Sequence, residues 1–162
     1  MAKQLEGKYE VFLPDMPCYK NAKYRARKIR FEKTFPFLNE EELVITGSSL
    51  WWIFLAKYLS ENQFPKHISQ LHLIAGVFDE SNLPEGEDDL VDFVFYPAGL
   101  KNLDKQVDKI FLYHSKDDTV VPFSHVEKYK SYLPKAQVFV FEDRGHFQQS
   151  EFPELVENIL AS

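Results

Sequence analysis

The chain is poor in the features that announce several large functional classes. It has a single cysteine, Cys18, so no intrachain disulfide can form. No apolar run approaches the roughly 20 residues that span a bilayer. Histidines 67, 72, 114, 125 and 146 show neither an HExxH pattern nor Cys/His ligand spacing, so no metal site is expected. None of the six glycines builds a phosphate-binding loop after a strand, and no cofactor is expected. Positive charge is also short: 19 Lys and Arg against 25 Asp and Glu give a net charge of -6, which argues against a nucleic-acid backbone as partner. The start, Met-Ala-Lys-Gln-Leu-Glu-Gly-Lys, has no apolar signal core, and the expected location is a soluble, cytoplasmic one. One basic stretch runs against the trend. Helical spacing puts Lys23, Arg27 and Arg30 on one stripe, read as a solvated helix face in preference to a binding patch because the rest of the chain is acidic.

What is present is apolar and aromatic. Hydrophobic residues make up 44% and aromatics 15% of 162 residues, enough for one domain over 1–162 with a single core. Five strands are expected, at 9–13, 43–48, 67–75, 109–114 and 137–142. Helices are expected at 21–35, 50–60, 123–133 and 151–160. In the last of these, Phe152, Leu155, Val156, Ile159 and Leu160 follow the amphipathic i, i+3, i+4 pattern. Strands alternating with helices predict an α/β fold: a three-layer sandwich around a mostly parallel five-stranded sheet. Residues 79–108, rich in Asp, Glu, Pro and Gly, read as an irregular excursion with a short helical candidate near 89–95.

Three strand ends carry residues suited to acyl chemistry. Leu43-Val44-Ile45-Thr46-Gly47-Ser48-Ser49-Leu50 reads as strand, sharp turn and helix start, which makes Ser49 a candidate nucleophile. The fourth strand runs into His114-Ser115-Lys116-Asp117-Asp118-Thr119-Val120-Val121-Pro122, where Asp118 rather than Asp117 occupies the acid position, although an Asp-Asp pair after a strand also suits a turn and helix cap. The fifth is followed by Arg144-Gly145-His146-Phe147, with His146 as candidate base. The order Ser, Asp, His, each at the C-terminal end of a different strand, is that of the α/β-hydrolases.

Those stretches, together with Tyr9-Glu10-Val11-Phe12-Leu13-Pro14-Asp15-Met16-Pro17, resemble the small serine hydrolases of the retinoblastoma-binding-protein-nine group. The resemblance implies a Ser49–His146–Asp118 triad acting on small carboxylic esters or amides, with the Leu50 N–H as an oxyanion donor and Trp51 and Phe147 near the substrate. It also implies a departure: the family's His-Gly strand and oxyanion loop have no counterpart here, so the fold is truncated at the N-terminus and turnover should be impaired. The absent strand would lie between strands 9–13 and 43–48. Either those two pair directly, with Trp51 and Trp52 filling vacated volume and covering the nucleophile, or a second copy or protein partner fills the gap. A second reading, a non-catalytic interaction module using a Trp/Tyr/Arg surface, follows from the same departures.

Overall fold

The computed structural model describes Leu5 and residues 7–14, 23–38, 42–84 and 90–161. Within them the strands are β1 (Val44–Ser48), β2 (Ile68–Ile74), β3 (Val107–Ser115) and β4 (Gln137–Phe141), paired in sequence order and all parallel. The helices are α1 (Tyr24–Glu32), α2 (Leu50–Glu61), α3 (Leu100–Leu103), α4 (Ser124–Tyr132) and α5 (Pro153–Leu160).

Period-2 alternation along β2 and β3 separates two apolar clusters. Leu71, Leu73, Ile110 and Leu112 join the larger one, which contains Trp52, Leu55 and Leu59 of α2 and Val126 and Tyr129 of α4. Ile74, Phe111 and Tyr113 join the smaller one, with Leu155, Val156 and Ile159 of α5. Helices on both faces make three layers, and each fully buried Leu or Ile contributes about 1.5–3 kcal/mol. α2 is buried nearly all round because its outer side is covered too. Phe31 of α1 and Phe93, from a 3-10 turn at Val91–Phe93, belong to the same cluster.

The sheet has four strands among the described residues, not five. Among the described residues, 9–13, expected as a strand, are not part of the sheet, and the Asp15, Met16 and Pro17 expected to end that strand lie outside the described residues. The reason is visible in what holds the segment. The Tyr9 hydroxyl donates to the Ile159 carbonyl at 3.3 Å, and Tyr9 and Val11 pack on the smaller cluster, so the segment is anchored to α5. A cleft of about 310 Å³ lined by Lys8, Tyr9, Glu42 and Leu160 separates it from the start of β1. Among the described residues β1 is an edge strand, with Thr46 and Ser48 exposed.

Two further expectations are corrected. Trp52 does not lie over the edge gap: it is fully buried in the larger cluster, its ring 4.7 Å from that of Tyr129 and so close to Gly76 that a Cβ there would stand 1.7 Å from the indole. The α1 stripe is not wholly solvated either. Arg27 is only 6% exposed, its guanidinium over the rings of Trp51 at 5.5 Å and Phe93 at 5.6 Å. Trp52 and Arg27 are therefore not available to the Trp/Tyr/Arg contact surface of the interaction reading.

Under α5, His72 is fully buried in a polar network. Its Nε2–H donates to Gln70 Oε1 at 2.8 Å and its Nδ1 accepts the Tyr113 hydroxyl at 2.9 Å, while Asn158 Nδ2 donates to that hydroxyl at 3.0 Å. Both ring nitrogens are satisfied only in the neutral form, and burial lowers its pKa to about 3.

Candidate active site

The elbow after β1 is held by close packing. A Cβ on Gly47 would stand 2.7 Å from Leu55 Cδ1, so only glycine lets α2 approach the strand this closely. The chain then turns through Ser49 at φ +52° and ψ -122°, a conformation that costs a non-glycine residue of order 1–3 kcal/mol. Long-range bonding imposes it: the Ser49 N–H donates to the Ile74 carbonyl of β2 at 2.9 Å, and its carbonyl accepts the Trp52 N–H at 3.0 Å. The Ser49 residue is half-buried, at the junction of β1 and α2. The next residue, Leu50, opens α2 with a backbone N–H in the helix's first turn, where amides lack intrahelical acceptors and the dipole favours negative charge.

At the end of β3 the Asp118 carboxylate divides its two oxygens. Oδ1 accepts the N–H groups of Val120 and Val121, each at 2.9 Å, which fixes the loop. Oδ2 faces His146 Nδ1 at 2.9 Å. Burial pushes the Asp118 carboxyl up, but the His146 hydrogen bond and the two amides outweigh it and hold the carboxyl below its ordinary value. Behind it lies His114, fully buried, whose Nε2–H donates to the Val121 carbonyl at 2.8 Å and stands 3.8 Å from Asp118 Oδ2. Burial is the main cause that lowers the His114 pKa, so this second ring stays neutral beside the carboxylate.

His146 follows β4 in a loop with two left-handed positions, Gly145 at φ +52° and Phe147 at φ +53°. The Phe147 ring turns away from solvent, 5.5 Å from Phe141 and 5.1 Å from Phe152, and packs on the smaller cluster. Arg144 is drawn to α5 by a 2.8 Å ion pair with Glu154.

Ser49, Asp118 and His146 thus follow the C-terminal ends of β1, β3 and β4, the same edge of a parallel sheet. Asp118 and His146 meet directly. Among the described residues, no hydrogen bond joins the Ser49 hydroxyl to His146. Trp51, half-buried, packs edge-on against Phe54 at 5.3 Å beneath Arg27. Ser115 and His114 lie in the His114–Pro122 stretch, but sequence reasoning assigned neither of them a role. A hydroxyl two residues before an aspartate at a strand end is the signal that Ser115 offered. Among the described residues, no group of three or more His, Cys, Asp or Glu could hold a metal ion, and no helix is long and apolar enough to cross a membrane.

No protein-family model and no curated protein matches the sequence. Solved structures do match the fold. The ydeN gene product of B. subtilis aligns with a TM-score of 0.75 at 18% identity, over 91% of this chain and 78% of that one. A variant of the meta-cleavage product hydrolase CumD, an enzyme of Pseudomonas fluorescens IP01, aligns with a TM-score of 0.69 at 15% identity, over 99% and 83%. A structure from work on carboxylesterases of the thaumarchaeon Nitrososphaera gargenis aligns with a TM-score of 0.59 at 16% identity, over 86% and 72%. The chain has the α/β-hydrolase fold.

Proposed function

We propose that this α/β-hydrolase-fold chain is a serine hydrolase that cleaves small carboxylic esters or amides, slowly, through Ser49, His146 and Asp118. The observation that carries the reading is the 2.9 Å contact between Asp118 and His146 on the sheet edge to which a conformationally strained Ser49 also belongs. In the reaction Ser49 Oγ attacks the acyl carbon while His146 Nε2 takes its proton. The tetrahedral oxyanion then collapses, the C–O or C–N bond breaks, and His146 returns the proton to the leaving group. Water, deprotonated by the same imidazole, releases the acid and restores Ser49. Asp118 holds the His146 Nδ1–H and stabilises the imidazolium, and Leu50 N–H receives the oxyanion.

Slow turnover follows from having Leu50 as the one N–H so assigned among the described residues, since loss of a second oxyanion donor costs on the order of a hundredfold to a thousandfold. The two aromatics expected near substrate are both engaged in packing, Trp51 with Phe54 and Arg27, Phe147 with Phe141 and Phe152. The likeness to hydrolases, a carboxylesterase structure among them, supports the ester class, and the resemblance to the retinoblastoma-binding-protein-nine group narrows it to small substrates. A fluorophosphonate probe tests the proposal: it should label the wild type at Ser49 and leave Ser49→Ala unlabelled. An unlabelled wild type, or a labelled Ser49→Ala, overturns it.

A further inference from the structure

Asp117 is the aspartate the dyad leaves unused, and its carboxylate points at the loop that carries His146. Its Oδ1 accepts the Gly145 N–H at 2.9 Å and the Ser115 hydroxyl at 2.5 Å. The same Ser115 oxygen accepts the Arg144 N–H at 3.0 Å. Two consecutive backbone amides immediately before His146 are therefore held by one hydroxyl and one carboxylate from the end of β3. Ser115 is fully buried and Asp117 exposed, so the clamp is rooted in the sheet and closes at the surface.

The loop needs an external hold. Residues on both sides of His146 sit at positive φ, which glycine adopts freely at 145 but which Phe147 does not favour by itself, and the internal turn bond from Phe147 N–H to the Arg144 carbonyl closes only that turn. We propose that Ser115 and Asp117 are positioning residues for His146: Asp118 fixes the rotation of the ring, while the Ser115–Asp117 clamp fixes where the backbone delivers it. The adjacent aspartates thus split one task, the first binding the base's main chain and the second its side chain. Hydrogen bonds from Ser115 and then from Gly145 keep the Asp117 carboxyl below its ordinary value, as expected of a clamp that works as an anion.

The consequence for rate rests on the hydrolase reading; the clamp itself does not. Asp117→Ala and Asp117→Asn separate the two, because Asn keeps an acceptor oxygen for Gly145. Amide hydrogen exchange followed by NMR should show Gly145 exchanging at least about tenfold faster in Asp117→Ala, with Val138 of β4 unchanged, and near wild-type exchange in Asp117→Asn. Fluorophosphonate labelling of Ser49 should slow about tenfold to a hundredfold in Asp117→Ala and stay within about threefold in Asp117→Asn, with kcat for an activated ester reduced and KM unchanged. Unchanged Gly145 exchange in Asp117→Ala overturns the clamp whatever the protein catalyses. Equal labelling of wild type and Asp117→Ala overturns the positioning role, and equal slowing in the Ala and Asn variants overturns its hydrogen-bond basis. A wild type that never labels, with Gly145 responding as expected, sinks the hydrolase reading and leaves the clamp as a structural device.

Discussion

Asp118→Asn is the substitution that probes the dyad most cleanly, because the geometry dictates which way the amide must face. Val120 and Val121 both direct N–H groups at Oδ1. Only an oxygen can accept them, so the Asn carbonyl takes that position and the NH2 is left facing His146 Nδ1, 2.9 Å away in the wild type. A donor meeting Nδ1 forces that nitrogen to be the unprotonated one, which moves the ring proton to Nε2. Nε2 is the atom that must accept the proton of Ser49, so the base is lost through its tautomer while the fold keeps all its hydrogen bonds. The imidazolium also loses its counter-charge. A triad disabled in this way loses about 10³- to 10⁴-fold in rate, equivalent to about 4–5.5 kcal/mol of transition-state stabilisation. The assay pairs the rate of fluorophosphonate labelling with a thermal melt. Labelling should fall by that factor while Tm moves by no more than a few degrees. A variant that labels within about tenfold of wild type refutes the catalytic role of the Asp118–His146 pair.

Three other outcomes are expected. His72, with a pKa lowered from 6.5 to about 3 by burial, contributes stability that is fully present above about pH 6.5 and is lost as pH falls toward 3, since the unfolded chain binds a proton that the folded chain refuses. At about 1.4 kcal/mol per pH unit, roughly 2 kcal/mol should disappear between about pH 7.5 and pH 5 in urea titrations. His72→Gln should flatten that loss by about the same amount, and an equal loss in both proteins would contradict the assignment. Gly76→Ala puts a Cβ 1.7 Å from a fully buried indole and should cost about 1–3 kcal/mol or more, a Tm drop of several degrees with altered Trp fluorescence; an unchanged melt would mean the Trp52 packing is wrong. Gly145→Ala meets nothing within 4 Å, so its cost comes from φ +52° alone, about 1–2 kcal/mol, and a melt indistinguishable from wild type would show that the loop relaxes freely.

The elements that local chemistry specifies were legible in the sequence. Apolar runs at 43–48, 67–75, 109–114 and 137–142 became the four parallel strands within a residue or two: the central β2 and β3 are largely buried and β1 and β4 partly so, and short runs rich in Val, Ile, Leu and Phe suit both. The amphipathic stripe of α5 fell where its spacing put it, on the smaller cluster. Ser49, Asp118 and His146 could be singled out because each stands at a strand end, and parallel strands bring those ends to one edge. The short helical candidate near 89–95 fell on the 3-10 turn at Val91–Phe93, whereas the short helix α3 and the 3-10 turn at Pro97–Gly99 were not distinguishable within a segment rich in Asp, Pro and Gly.

Other outcomes depended on residues far apart in the chain. Tyr9–Leu13 has a strand's alternation, yet a strand exists only against a neighbouring edge, and Ile159 and α5 claim Tyr9 first. Trp52 is one of two adjacent indoles with nothing local to tell them apart; Gly76, on another strand's end, makes the hollow that takes it inside, while Arg27 covers Trp51. The division of labour between Asp117 and Asp118 is likewise set by partners 28 residues downstream, at Gly145 and His146. Sequence fixes which residues can donate, accept or pack, whereas the choice among competing partners is made by the tertiary contacts that desolvate one arrangement and leave the others in water.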